Sequence, residues 1–182
     1  SSNEAVTAKR VPERLVVIGG GVIGVEFAYT YAGLGSKVTV LEFLPRVIAN
    51  MDADLGTELA KILKKQGVEL KTEVKVTGVT DNSDGGKTVA FEGKDGTVGS
   101  VEADVVRVAT GRTPFTEGIN LDGVGITLGS EKGRRAIPVD TKMKTPVAGI
   151  YAIGDVVGSG LAHTATAEGL VAAENICGHD AE

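Results

Sequence analysis

Apolar residues follow two rhythms along the chain, and the change between them falls near residue 74. Leu15-Val16-Val17-Ile18 is an unbroken apolar run that stops at Gly19-Gly20-Gly21, the pattern of a buried strand and a tight turn. Residues 22–34 resume with apolar side chains on most faces, as suits a helix held between a sheet and other elements. Gly35 stands at a C′ position to end that helix. Residues 36–41 give a second strand, ending in Glu42, and residues 43–46 a loop. Residues 52–66 set Leu55, Leu59, Ile62 and Leu63 on one helical face. Asp52 or Asp54 is placed to cap this helix, Lys64 and Lys65 to favour its negative end, and Gly67 to stop it. A third strand over residues 68–70 completes a β-α-β-α-β half.

Beyond residue 74 the runs shorten and alternate. Residues 74–79, 88–91 and 97–101 read as strands joined at Asp84-Gly85-Gly86 and Lys94-Asp95-Gly96, the signature of an antiparallel meander. A parallel strand returns over 103–109, with Arg107 expected to face a rim or carry its head to solvent. After Pro114 the rhythm lapses for some twenty glycine-punctuated residues. A buried strand is then expected to end at Asp155, followed by a Gly158-Ser159-Gly160 loop and a helix over 161–177 with His163 in its first turn. Residues 1–13 read as an incoming linker. The expected fold is α/β: a Rossmann-like parallel sheet with an inserted antiparallel β-meander, then a smaller segment. The boundary near Arg112 gives domains 1–112 and 113–182.

Gly19, Gly21 and Gly24 stand in G-x-G-x-x-G register between strand and helix. One glycine turns the chain, one admits a pyrophosphate against the backbone, and one lets the helix approach its strand. The anion then meets the unpaired N–H groups and positive end of the helix. Glu42 follows Gly19 by 23 positions, at the end of the second strand, where a carboxylate can accept both hydroxyl protons of an adenosine ribose. Strand, glycines, helix, second strand and acid in that order imply dinucleotide binding.

Composition narrows the partners. A net charge of −5 with no basic stripe argues against nucleic acid and anionic membranes, and the basic pairs Lys64-Lys65 and Arg134-Arg135 read as solvated surface. No apolar run reaches the length of a membrane span, and the N-terminus does not resemble a signal peptide. A reducing, soluble compartment such as the cytoplasm is expected. The single cysteine, Cys177, cannot form an internal disulfide and reads as a packed or half-exposed thiol. No catalytic residue and no metal site is assigned.

Four segments resemble the pyridine nucleotide-disulfide oxidoreductases, and within them most closely the dihydrolipoamide dehydrogenases. They are residues 17–26 from Val17 to Glu26; Val40-Leu41-Glu42-Phe43; residues 109–115 around Gly111-Arg112-Thr113-Pro114; and residues 150–157 around Gly154-Asp155, with Leu161-Ala162-His163. The resemblance covers essentially the whole chain. It implies that Gly19, Gly20, Gly21, Val22, Ile23, Gly24, Val25 and Glu26 form the NAD pyrophosphate turn, with Glu26 reaching toward the nicotinamide end. It implies that Glu42 accepts the ribose, Val76 lines the adenine and Gly111 offers a backbone contact to the nucleotide. Asp155 would hold the ribityl and phosphate region of FAD, with Gly160, Leu161, Ala162 and His163 at a helix start beside the isoalloxazine.

The resemblance also implies parts that this sequence lacks: a first FAD-binding glycine turn, a C-x-x-x-x-C redox disulfide, and a C-terminal interface domain with a His-Glu pair. The chain therefore reads as the NAD-binding domain plus the central segment that packs on the FAD domain, catalytically incomplete by itself. In the parent, dihydrolipoamide would be oxidised and electrons passed through disulfide and FAD to NAD+. The parent would be a homodimer serving a 2-oxo acid dehydrogenase or glycine cleavage complex through lipoyl domains. Thr164-Ala165-Thr166 departs from the lysine common after the histidine. Alternatives are another member of the superfamily, such as a mercuric reductase, a soluble transhydrogenase or a glutathione-type reductase, and a non-catalytic NAD(H)-sensing module. Glu42 argues against NADPH users, which place arginines near this strand end.

Overall fold

The structure, a computed structural model, describes residues 2–131 and 134–182. The chain divides into two compact units, residues 1–111 and 112–182.

In the first unit a short helix α1 (Ser2–Val6) precedes β1 (Arg14–Ile18), α2 (Val22–Gly33), β2 (Lys37–Leu41), α3 (Ala53–Lys65) and β3 (Glu69–Lys71). The meander follows as β4 (Val74–Asp81), β5 (Lys87–Gly93) and β6 (Val98–Ala103), and β7 (Val105–Val108) returns to the first sheet. That sheet is parallel throughout, in the order β3-β2-β1-β7. The meander is a separate antiparallel sheet in the order β4-β5-β6, with a bulge between Val76 and Gly78.

Strand alternation sorts the core into two layers. Leu15, Val17, Val38 and Val40 point to one side and join Val25, Ala28 and Tyr31 of α2 and Leu63 of α3. Val16 and Leu41 point to the other and meet Val74, Val89, Phe91 and Ala103 of the meander. A sheet buried on both faces needs two covers, and here helices form one and the meander the other. Leu15, Val16, Val17 and Val40 are at most 1% exposed, each worth about 1.5–3 kcal/mol against exposure. Arg14 ties β1 to the corner between β6 and β7: its backbone N–H and Nη2 donate to Asp104 at 2.8 and 2.6 Å.

Several elements differ from the sequence reading. The N-terminal residues form α1 rather than a plain linker, because Ala5 is buried and its carbonyl accepts the Tyr31 hydroxyl at 3.0 Å. The line of α3 that faces the core is Gly56 and Leu63, both buried, with Leu59 and Ala60 half-buried beside them, while Leu55 and Ile62 are 57% and 45% exposed. Asp52 is the N-cap of α3 but its side chain makes no capping bond. The third strand begins one residue later than expected, after Val68 N–H has closed the end of α3 on the Leu63 carbonyl at 3.0 Å. Arg107 escapes to solvent only in part: it is half-buried, and Nη2 donates to the Glu4 carbonyl at 3.4 Å.

The second unit contains a 3-10 turn (Asp122–Val124), a hairpin of β8 (Gly129–Glu131) and β9 (Arg134–Ala136), a second 3-10 turn (Gly154–Val157) and helix α4 (Ala162–Ile176). The strand expected to end at Asp155 is not formed. A single isolated bridge, Tyr151 to Lys144, forms there, and an extended segment without a neighbouring ladder is not a strand. Asp155 lies instead inside the second 3-10 turn and is exposed. Thr145 organises the preceding loop, its hydroxyl donating to the Ile150 carbonyl at 2.9 Å. Cys177 is exposed.

Candidate functional site

The glycine turn joins β1 to α2 at the carboxyl edge of the parallel sheet. β1 lies between β2 and β7, the point where strand order reverses and where open α/β sheets receive ligands. Gly19 N–H donates to the Leu41 carbonyl at 2.8 Å, and Ala109 N–H donates to the Ile18 carbonyl at 2.7 Å. The turn is thereby held between the ends of β2 and β7. Gly19 has φ +107°, and a Cβ there would come within 2.5 Å of the Ala109 carbonyl oxygen. A Cβ on Gly24 would strike the Gly19 carbonyl, so this glycine sets the close approach of α2. Gly21 differs: it is the N-cap of α2 at φ −70°, and a Cβ would meet nothing within 4 Å. The first and last glycines of the motif fit the protein to itself, and the middle one leaves space.

Glu42 is buried, at 8% exposure. Its Oε2 accepts the N–H of Gly20 and its Oε1 accepts the N–H of Leu44 at 2.7 Å. A carboxylate carries about four acceptor positions, so both oxygens keep capacity after these bonds. Gly20 is gripped from the other side as well, since its carbonyl accepts the Ile48 N–H at 2.7 Å. Arg46 is turned into its own loop, with Nη2 donating to the carbonyls of Ala49 and Met51 at 3.0 and 3.1 Å.

The structure thus brings together Gly19, Gly20, Gly21, Glu42 and the end of β7, with Val22 and Ile23 opening α2. Gly24 and Val25 are buried behind the turn, and Glu26 is exposed on the same helix. Gly111, φ +124°, follows two residues after the Ala109 that abuts Gly19. Val76 sits at the bulge of β4, half-buried against the meander core. In the second unit Asp155 is held by its turn, whose first residue, Gly154, donates its N–H to Glu168 Oε2 at 2.6 Å. Gly160, Leu161, Ala162 and His163 are all exposed at the start of α4, and Leu161, its N-cap, supplies no side-chain bond.

Sequence reasoning missed Ile48 and Glu168. An isoleucine carries no sign of the left-handed backbone that Ile48 adopts, and Glu168 reaches a residue fourteen positions away. Gly56 offered a usable signal: a glycine in the first turn of a helix, where a Cβ would come within 2.8 Å of the Val47 carbonyl. Two concavities lie away from the turn. One, about 510 Å³, is lined by Lys71, Glu73, Phe91 and Lys94. The other, about 710 Å³, is lined by Pro138, Ser159, Thr164 and Glu168. Among the described residues no cluster could hold a metal ion, and no helix is long and apolar enough to cross a membrane.

Comparison with known proteins bears on this geometry. The pyridine nucleotide-disulphide oxidoreductase family matches residues 1–169. The chain is 45% identical over 181 residues to the mitochondrial dihydrolipoyl dehydrogenase of Canis lupus familiaris, an alignment covering 98% of this chain and 35% of that protein. It is 42% identical over 179 residues to leghemoglobin reductase of Glycine max, covering 98% and 34%. Among solved structures, LpdA from Mycobacterium tuberculosis superposes with a TM-score of 0.83 at 32% identity, covering 97% of this chain and 37% of that one. RclA from Escherichia coli, a HOCl-induced flavoprotein disulfide reductase, does so with 0.85 at 28%, covering 98% and 40%. The chain spans about a third of the length of the curated relatives it matches. With the family matched across nearly its full length and the glycine turn and strand-end acid in place, the chain belongs to the pyridine nucleotide-disulphide oxidoreductases.

Proposed function

We propose that this chain is the NAD(H)-binding portion, with an adjoining central segment, of a flavin-dependent dihydrolipoamide dehydrogenase. The observation that carries the reading is the contrast within the glycine turn: Gly19 and Gly24 are required by neighbouring protein atoms, whereas Gly21 faces open space at the start of α2. A glycine that no protein atom requires, placed at a helix N-terminus, suits the close approach of a pyrophosphate. Val22 and Ile23 would offer it backbone N–H groups of the first helical turn. Glu42 would accept the hydroxyl protons of the adenosine ribose with the lone pairs left after Gly20 and Leu44. A 2′-phosphate would bring negative charge against that carboxylate, and Arg46, occupied by Ala49 and Met51, would not answer it.

The second unit would contribute one side of an FAD site. Its fit rests on the exposed Asp155, the capless start of α4, and the exposed Gly160, Leu161, Ala162 and His163. NAD+ supplies a hydride acceptor and FAD a two-electron carrier between it and a thiol pair. The longer protein would oxidise dihydrolipoamide as a homodimer, with lipoyl domains of a 2-oxo acid dehydrogenase or glycine cleavage complex as its partners. Its location would be the cytoplasm, or the mitochondrial matrix in a eukaryote.

Calorimetric titration of this chain with NADH and NADPH tests the reading. A charge-assisted hydrogen bond to Glu42 sets the expected preference for NADH at about tenfold or more. Glu42→Arg should move the preference toward NADPH, and equal affinities in the unmodified chain would overturn the assignment.

A further inference from the structure

Both polar atoms of the Gly20 peptide are held by the loop after β2. Glu42 Oε2 accepts its N–H, and the Ile48 N–H donates to its carbonyl at 2.7 Å. The loop is itself braced. Glu42 Oε1 accepts Leu44 N–H at 2.7 Å, Val47 is 1% exposed, and the Ile48 carbonyl accepts Met51 N–H at 2.8 Å. Ile48 has φ +43°, a left-handed backbone that a β-branched residue adopts only when its surroundings impose it. A Cβ on Gly20 would lie 3.1 Å from both Glu42 Oε2 and Val47 Cγ1, so the grip closes on a residue without a side chain.

From this geometry we propose that residues 42–48 form a preassembled clamp on the Gly20 peptide, fixing the glycine turn before any nucleotide arrives. Glu42 is then a positioning residue for the pyrophosphate turn as well as the ribose acceptor of the reading above, on which this inference rests. Ile48 is the opposite jaw. The Gly20 N–H, committed to Glu42, is withdrawn from phosphate binding, which leaves that task to Gly21 and the first turn of α2. A dinucleotide meets a turn that needs no reorganisation.

Amide hydrogen exchange on the nucleotide-free chain, read by NMR, separates this clamp from ribose recognition, because no ribose is present. In Glu42→Ala, the Gly20 and Leu44 amides should exchange at least about tenfold faster, as loss of a charged acceptor implies, while Val17 and Val40 keep their rates. Glu42→Gln, with one carbonyl oxygen, should protect only one of the two amides. Gly20→Ala removes no charge and no hydrogen-bonding group. It should still weaken NADH binding about threefold to tenfold by prising the jaws apart. Wild-type exchange at Gly20 and Leu44 in Glu42→Ala, or unchanged NADH affinity in a folded Gly20→Ala, would overturn the clamp. Failure of the unmodified chain to bind NADH would overturn the functional reading while leaving the exchange result to decide the clamp. Should Glu42→Ala unfold, loss of Val17 and Val40 protection would reveal it, and Glu42→Gln and Gly20→Ala would carry the test.

Discussion

Gly19 and Gly21 stand two positions apart and answer opposite demands, which makes them a matched pair of probes. Gly19→Ala places a Cβ within 2.5 Å of the Ala109 carbonyl at a φ of +107°, so urea unfolding should show a loss of roughly 2–4 kcal/mol. Gly21→Ala meets open space at an ordinary φ. It should change stability by less than about 0.5 kcal/mol yet reduce NADH affinity, because there only a ligand would require glycine. The places of Gly19 and Gly24 were legible in the sequence because a tight strand-to-helix turn needs glycine where its backbones meet. Which glycine serves which contact was not, since that depends on Ala109, delivered by a distant strand. Ile48 was illegible for a related reason: its backbone is set by the loop around it rather than by any preference of its own.

The C-terminal ends of α2 and α3 were readable elements. Gly35 N–H and Ser36 N–H close α2 on the carbonyls of Ala32 and Tyr31, and Gly67 and Val68 close α3 on Lys64 and Leu63, the local hydrogen-bonding pattern that a C′ glycine announces. The α3 stripe was partly misread because Gly56 and Ala60, small enough for close approach, take the core-facing line while Leu55 and Ile62 flank it. The segment before Asp155 was misread because apolar composition alone cannot say whether a ladder partner exists. At this scale the Arg14–Asp104 pair gives a pH prediction. Hydrogen bonds from the Arg14 side chain, then from its backbone N–H, hold the Asp104 carboxyl below its ordinary range. A carboxylate with a lowered folded-state pKa stabilises above its unfolded value, near 4, and loses that contribution as pH falls through the folded value. The stability gap between the unmodified chain and Asp104→Asn, measured by urea unfolding, should therefore be full at neutral pH and close below about pH 4.

Taken whole, the molecule is two units of unequal construction. The first has a sheet covered on both faces, and the second buries only Ala172 of its long helix while Leu161, Leu170 and Ile176 stay exposed. Amides at residues 16–18 and 38–40 should exchange slowly and those at 117–131 fast, and uniform protection across both would show the second unit to be equally stable. One cysteine gives no internal disulfide to cycle, so lipoamide-dependent NADH oxidation by this chain should not exceed that of Cys177→Ser. The division into a β-α-β-α-β half, a meander and a later segment could be read from hydrophobic rhythm, because each change of rhythm marks a change of cover. The neighbour of β1 on its other side could not be read that way: β7 is the last strand of its unit and lies beside the first. Arg14 and Asp104 meet across a separation of ninety residues, and Gly19 waits likewise for the Ala109 carbonyl. At about 5–20 residues per second of synthesis, a nascent chain carries its glycine motif for roughly 5–18 seconds before the strand that completes the turn has been made. The loop of residues 42–48 reaches the turn early, but the contact that makes Gly19 indispensable arrives only with the last strand of its unit.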